Sequence, residues 1–131
     1  MANRQSLLLD THVFVWALEQ VDKIGQTTLS LMQSGAAVYV SKVTLWELAI
    51  KYRTQKFPYE TDYLLEGMKL SGFSLLDIDT DHLQKYAAVE LSHKDPFDVL
   101  LIAQAEVEHF TFVTADRKIL VSSYNLQDAS R

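Results

Sequence analysis

The sequence predicts an α/β fold built on a mostly parallel sheet, and two observations carry that prediction. Short apolar runs of strand length alternate along the chain with longer segments of helical periodicity. Hairpin signals such as Asn-Gly or Asp-Gly are missing between them. Strands buried on both faces read as continuous apolar stretches, and parallel neighbours need crossover connections, so helices should cover both sides of the sheet.

Each element has its own local reason. Ser6 to Leu9 is a short apolar run that stops at Asp10, as a buried strand would. The segment VFVWALE then reads as one helix, and a second covers Lys23 to Gln33, closed by Ser34-Gly35. Ala36 to Val40 is a second strand, after which Ser41 can cap the helix TLWELAIKYRT. Phe57-Pro58 breaks that helix. Thr61 to Leu70 is helical, Ser71-Gly72 ends it, and Phe73 to Ile78 is a third strand. A fifth helix is expected over Asp79 to Leu91, with Leu83, Ala87 and Leu91 on one face. Asp95-Pro96 opens the sixth helix as N-cap and N1. The run FTFV, 110–113, makes a fourth strand, followed by Thr114-Ala115-Asp116, a short element near Lys118 to Leu120 and a terminal strand near Val121.

Size and composition narrow the function classes. The 131 residues suit one domain, taken here as 1–131, and an apolar fraction of 48% argues against disorder. Cysteine is absent, which removes disulfides and thiolate metal sites. The opening MANRQSLLLDTHVFVWALEQ is interrupted by Asp10 and does not read as a signal peptide, and no apolar run reaches bilayer length. A cytoplasmic location without membrane attachment is the resulting expectation. A net charge of −5 argues against a generally basic surface for nucleic acid, although bound cations can supply local positive charge. The basic cluster KYRTQK reads first as a solvated face.

The acids hold the chemistry. Asp10 follows the first strand and Asp116 the fourth, and the carboxyl edge of parallel strands is where open α/β sheets bind ligands. Each can equally cap the helix that follows it. Glu47 lies mid-helix and shares a face with Val43 and Ile50, so it needs water, an ion or a local pair with Lys51. Asp98, at the third position of the sixth helix, fits an acidic capping arrangement with Asp95. Taken together, four carboxylates can form a cup for a hard cation such as Mg²⁺, and without one their mutual repulsion should raise at least one pKa. A zinc centre is disfavoured: His12 lies near Asp10 and His93 near Asp95, but no HExxH or cysteine cluster accompanies them. A Ser nucleophile elbow, a P-loop and a dinucleotide fingerprint are absent.

The stretches LLLDTHVFVWAL, VSKVTLWELAIK, HKDPFDVLLIAQA and FVTADRKI, in that order over nearly the whole chain, resemble the successive motifs of the PIN-domain family, and within it the VapC-like toxin subgroup with Asp-Thr-His at its first motif. The resemblance implies a three-layer α/β/α fold, an acidic centre binding one or two Mg²⁺ or Mn²⁺ ions, and endoribonuclease activity. Carried over by motif, Asp10, Glu47, Asp98 and Asp116 match the metal-binding and catalytic acids, with Asp10 and Asp98 as primary ligands. Thr11, Ser41 and Thr114 match positions that supply hydroxyl contacts, and Asp95 matches a supporting or capping position. Lys42, Lys51, Arg117 and Lys118 are candidates for contacting RNA. The resemblance also implies a homodimer and a small antitoxin partner, with surfaces around Trp16, Trp46 and YETDYLLEGM available for them. One departure stands out: the family motif often continues Asp-Pro-Phe-Asp-Arg, whereas Val99 follows Asp98 here. A PIN-fold RNA-processing nuclease outside toxin systems, or a weakly active interaction module, are the alternatives.

Overall fold

A computed structural model describes residues 5–92 and 95–131; His93, noted above beside Asp95, lies outside the described residues. Five strands form one sheet: β1 (Ser6–Leu9), β2 (Ala37–Ser41), β3 (Ser74–Leu76), β4 (Thr111–Thr114) and β5 (Leu126–Asp128). Their order across the sheet is β3-β2-β1-β4-β5, and all four pairings are parallel. Seven helices connect them: α1 (Thr11–Glu19), α2 (Gln26–Gln33), α3 (Lys42–Arg53), α4 (Thr61–Ser71), α5 (Thr80–Tyr86), α6 (Pro96–Glu108) and α7 (Arg117–Leu120).

The central strand shows why three layers form. Leu7, Leu8 and Leu9 are all fully buried, yet they point to opposite faces. Leu7 and Leu9 join Val13, Phe14, Val40, Leu48, Leu64 and Met68 in one core, under α1 to α4. Leu8 joins Leu101, Ile102, Phe112 and Ile119 in the other, under α6 and α7, with α5 packed on α6. The three-layer α/β/α expectation therefore holds.

Strand order follows from handed crossovers. The chain steps outward from β1 to β2 to β3, returns across β1 to β4, and steps outward again to β5. Right-handed connections made in opposite directions put their helices on opposite faces. The reversal leaves a crevice between the carboxyl ends of β1 and β4, the position where open α/β sheets bind ligands. Asp10 and Asp116 flank it.

Two elements differ from the sequence expectation. The fifth helix stops at Tyr86 rather than Leu91, because the chain tightens into shorter turns: Ala88 donates to the Lys85 carbonyl and Val89 to that of Tyr86. The next amide, Glu90 N–H, is taken by the Tyr124 hydroxyl at 2.7 Å. Leu83 is consequently 54% exposed rather than core. The last strand is Leu126–Asp128 rather than a segment near Val121. A parallel strand must be entered from the far edge of the sheet, and Val121 still sits at the end of α7, so several residues are needed to travel back.

Truncating Leu8 to alanine is expected to destabilise the fold by about 2–5 kcal/mol, whereas Val121→Ala, at an 83% exposed position, should leave the denaturant midpoint nearly unchanged. Chemical unfolding of both variants checks the assignment of the second core.

Candidate active site

Asp10 ends β1 and begins α1. Its amide continues the sheet ladder to the Val113 carbonyl, and its own carbonyl accepts from Phe14 N–H in the first helical turn. This double duty drives the side chain inward, and Asp10 is only 4% exposed. One carboxylate oxygen accepts from Thr11 N–H at 2.7 Å and the other from the Thr114 hydroxyl at 2.7 Å. Thr114 Oγ1 in turn accepts from Asp116 N–H at 3.0 Å. The hydroxyl matched to the fourth motif is thus bonded directly to the first acid.

Glu47 reaches the same place from α3. Thr11 Oγ1 donates to its Oε1 at 2.7 Å, while Lys51 Nζ, one turn on, lies 3.1 Å from its Oε2. Thr11 has a single hydroxyl hydrogen, committed to Glu47, so the 3.1 Å contact between Thr11 and Thr44 is a donation from Thr44. Thr44 is fully buried. It escaped the sequence reading, although its place one turn before Glu47 puts it on the same helix face.

Asp98 sits in the first turn of α6. Asp95 is the N-cap of that helix, accepting from Phe97 N–H at 2.9 Å and Asp98 N–H at 3.3 Å, with Pro96 at the first helical position. Asp116 caps α7, accepting from Lys118 N–H at 2.9 Å. A cavity of about 350 Å³ between the carboxyl ends of β1 and β4 is lined by Asp10, His12, Trp16, Ala115 and Asp116. A larger hollow, about 640 Å³, lies past the end of α3 among Tyr52, Arg53, Gln55, Lys56, Phe57 and Pro58. It has no carboxylate in its lining and no acid-rich chemistry to offer.

Electrostatics links the acids. The Asp10 carboxyl is pushed from 3.8 to about 7, mainly by burial and further by the charges of Asp98 and, less strongly, Glu47. The bonds from Thr114 and Thr11 pull in the opposite direction and do not prevail. Asp10, Glu47 and Asp98 are therefore close enough to feel one another, and Asp116 shares a cavity wall with Asp10. This oxygen-only donor set, with a deeply buried carboxylate left short of positive charge, fits a hard divalent cation.

Other residues lie differently from the motif expectation. The Ser41 hydroxyl accepts from Val43 N–H at 3.0 Å and faces Gln104 Oε1, turned into the α3–α6 contact. Three of the four candidate RNA-contacting cations are paired with carboxylates: Lys42 with Asp77 at 2.6 Å, Lys51 with Glu47, and Arg117 with Asp128 at 3.1 Å. Lys118 makes no ion pair among the described residues.

A second polar group lies elsewhere. Asp79, His82 and Glu108 bring ligand atoms within 4.8 Å of one another, close enough to hold a metal ion. Hydrogen bonds account for the same arrangement. His82 Nδ1 accepts from Asp79 N–H at 3.0 Å, and Nε2 faces Glu108 Oε2 at 2.9 Å. Both ring nitrogens are engaged. Glu108 is ten residues along α6 from Asp98, roughly 15 Å at the helical rise, so this group is separate from the acidic cup.

The Asp10 shift fixes a sign. A carboxyl whose pKa is higher folded than unfolded contributes stability below about pH 4 and loses it as pH rises to about 7, a difference on the order of 4 kcal/mol. In chelator, thermal unfolding of the wild type should fall over that window relative to Asp10→Asn. Added Mn²⁺ should restore the wild type most strongly above pH 7. Superimposable pH profiles for the two proteins would remove the shift.

Similarity to known proteins can now be set beside this geometry. Residues 7–121 match the PIN domain family model. Among solved structures, a toxin-antitoxin complex from Klebsiella pneumoniae is 16% identical with a TM-score of 0.62, covering 93% of this chain and 96% of that one. DNA-bound VapBC from Salmonella typhimurium is 18% identical with a TM-score of 0.69, covering 94% and 97%. FitAcB from Neisseria gonorrhoeae is 20% identical with a TM-score of 0.62, covering 92% and 95%. Comparison with curated proteins gives no match. The family match spans most of the chain and takes in the strand-end acids at positions 10 and 116 and the helix acids at 47 and 98: the chain belongs to the PIN domain family.

Proposed function

We propose that this protein is a metal-dependent endoribonuclease, the toxin of a toxin–antitoxin pair, acting in the cytoplasm. The observation that carries the proposal is the Asp10 carboxyl, buried at the β1–β4 crevice and raised to about 7 beside Asp98 and Glu47. A stability-optimised fold would not collect like charges there, and a cation-binding function gives a reason for them.

The reaction is hydrolysis of an RNA phosphodiester. Water attacks phosphorus, the bond to the 3′-oxygen breaks, and the products carry a 5′-phosphate and a 3′-hydroxyl. When bound, one or two Mg²⁺ or Mn²⁺ ions lower the pKa of the attacking water and offset charge on the phosphate and leaving oxygen. Asp10 and Asp98 would hold the ion first, with Glu47 and Asp116 completing the set. Thr114 and Thr11 fix the Asp10 oxygens, and the Thr44–Thr11 hydroxyl pair together with Lys51 fixes both Glu47 oxygens. Lys118 is available to a phosphate, and Arg117 and Lys42 can exchange their exposed carboxylate partners for one, because such pairs are worth only about 0–1 kcal/mol.

Surfaces for protein partners are at hand. Val43, Trp46, Leu83, Tyr86, Pro96, Phe97 and Leu100 line an apolar hollow of about 290 Å³, with Trp46 57% exposed. Tyr63 and Leu70 on α4 are also exposed, beside Glu19 and Glu66. We assign these faces to self-association and to an antitoxin. A strict monomer by light scattering at high concentration would count against the first. An RNA-processing nuclease outside toxin systems shares this chemistry, and co-purification with a small partner separates the two.

Incubation with structured RNAs and Mn²⁺ tests the activity. Cleavage is expected for the wild type and a loss of at least about 100-fold for Asp98→Asn, with the variant still folded by circular dichroism. Equal cleavage by both proteins would remove Asp98 from the reaction.

A further inference from the structure

Gln104 lies mid-way along α6, fully buried, in a helix otherwise lined with leucine, isoleucine and alanine. A buried amide must find partners, or each unmet group carries its desolvation cost. Gln104 finds three. Its Nε2 lies 3.1 Å from the Asp77 carbonyl and 3.3 Å from His82 Nδ1, and its Oε1 faces the Ser41 hydroxyl.

The directions of these bonds follow from the partners. The Asp77 carbonyl only accepts, so the amide NH₂ must face it and the amide oxygen must face Ser41. Ser41 Oγ already accepts from Val43 N–H, so its single hydrogen is donated to Gln104. Asp79 N–H only donates, so His82 Nδ1 is unprotonated, and the ring hydrogen sits on Nε2 toward Glu108. One buried chain thus runs from Ser41 through Gln104 and His82 to Glu108.

Its placement gives it a consequence for the acids. Ser41 is the N-cap of α3, six residues before Glu47, and Gln104 lies six residues after Asp98 on α6. The Ser41–Gln104 bond is therefore a direct polar tie between the two helices that deliver those carboxylates. The geometry points to Gln104 as a positioning residue of the acidic centre: through Ser41 it sets where Glu47 and Asp98 stand relative to each other, and hence the affinity for a divalent cation. The Ser41 hydroxyl then acts in this tie, with its hydrogen withheld from substrate. The inference rests on the metal-dependent reading above.

The test uses the full chain and Mn²⁺ alone, by calorimetric titration without RNA, with thermal unfolding in parallel. Gln104→Met keeps much of the side-chain length and removes the amide; Ser41→Ala removes the same tie from the other helix. Each is expected to weaken Mn²⁺ binding about 10-fold, the low end of what outer partners of ligands contribute. The double variant should be no weaker than either single one, since both delete one interaction. Glu108→Gln, at the far end of the chain, should lower the unfolding temperature and leave Mn²⁺ affinity within about twofold, which a merely stabilising role for the whole network would not produce. Folded Gln104→Met with wild-type Mn²⁺ affinity overturns the inference, as do additive losses in the double variant. If Gln104→Met fails to fold, Ser41→Ala decides by the same criterion. A wild type that binds no Mn²⁺ overturns the functional reading, and this inference with it.

Discussion

Everything at the carboxyl edge of the sheet depends on how the Asp10 carboxylate is buried. Leu7 to Leu9 are sealed between two cores, so the first residue free of the strand emerges at the floor of the crevice rather than at the surface. Taking a carboxylate out of water costs several kcal/mol in real proteins. Two hydrogen bonds to a charged group return roughly 1.5–3 kcal/mol each. Those terms are comparable, and the neighbouring charges of Asp98 and Glu47 tip the balance against ionisation. The groups that touch Asp10 come from three directions: Thr11 from α1, Thr114 from β4, and the field of α3 and α6. Removing any one of those elements would change the charge state of the acid that the others surround.

Much of this was legible in the sequence, for identifiable reasons. The first strand was visible because a strand buried on both faces needs an unbroken apolar run, and the start of α6 because Asp-Pro fits the N-cap and N1 positions. The three-layer arrangement followed from alternation of strands and helices. Strand order was not legible, since the chain's return across β1 is a long-range choice made by packing and crossover handedness. The end of α5 was misread because Leu83, Ala87 and Leu91 keep helical spacing beyond the point where Tyr124, 34 residues away from Glu90, takes a backbone amide. Local periodicity contains no trace of that bond.

The site was legible as residue types more than as roles. The acids stood out because carboxylates at strand ends and on an apolar helix face need an explanation. The hydroxyls and cations were harder. Ser41, Lys42 and Arg117 took partners determined by the tertiary fold, namely Gln104, Asp77 and Asp128. Gln104 itself gave no signal, because a lone glutamine in LLIAQAE is indistinguishable from a solvent-facing one until its helix is docked. Only Lys51, four residues after Glu47, could be paired from spacing alone, and it is paired.

Capping and metal binding looked like competing explanations when each acid was considered alone. In the folded chain they are one geometric fact. A helix that follows a parallel strand begins at the carboxyl edge of the sheet, so an acid that caps it is carried to that edge. Asp10 and Asp116 both cap, and both line the crevice between β1 and β4. The helix ends favour negative charge by about 0.3–1 kcal/mol each, which makes such acids tolerable one at a time. That is too little to offset a buried carboxylate surrounded by its own kind, and Val99 brings no charge where the family often has arginine. The raised Asp10 is what remains after caps, hydroxyls and Lys51 have all been counted, and a divalent cation supplies the kind of charge that would return it to the carboxylate.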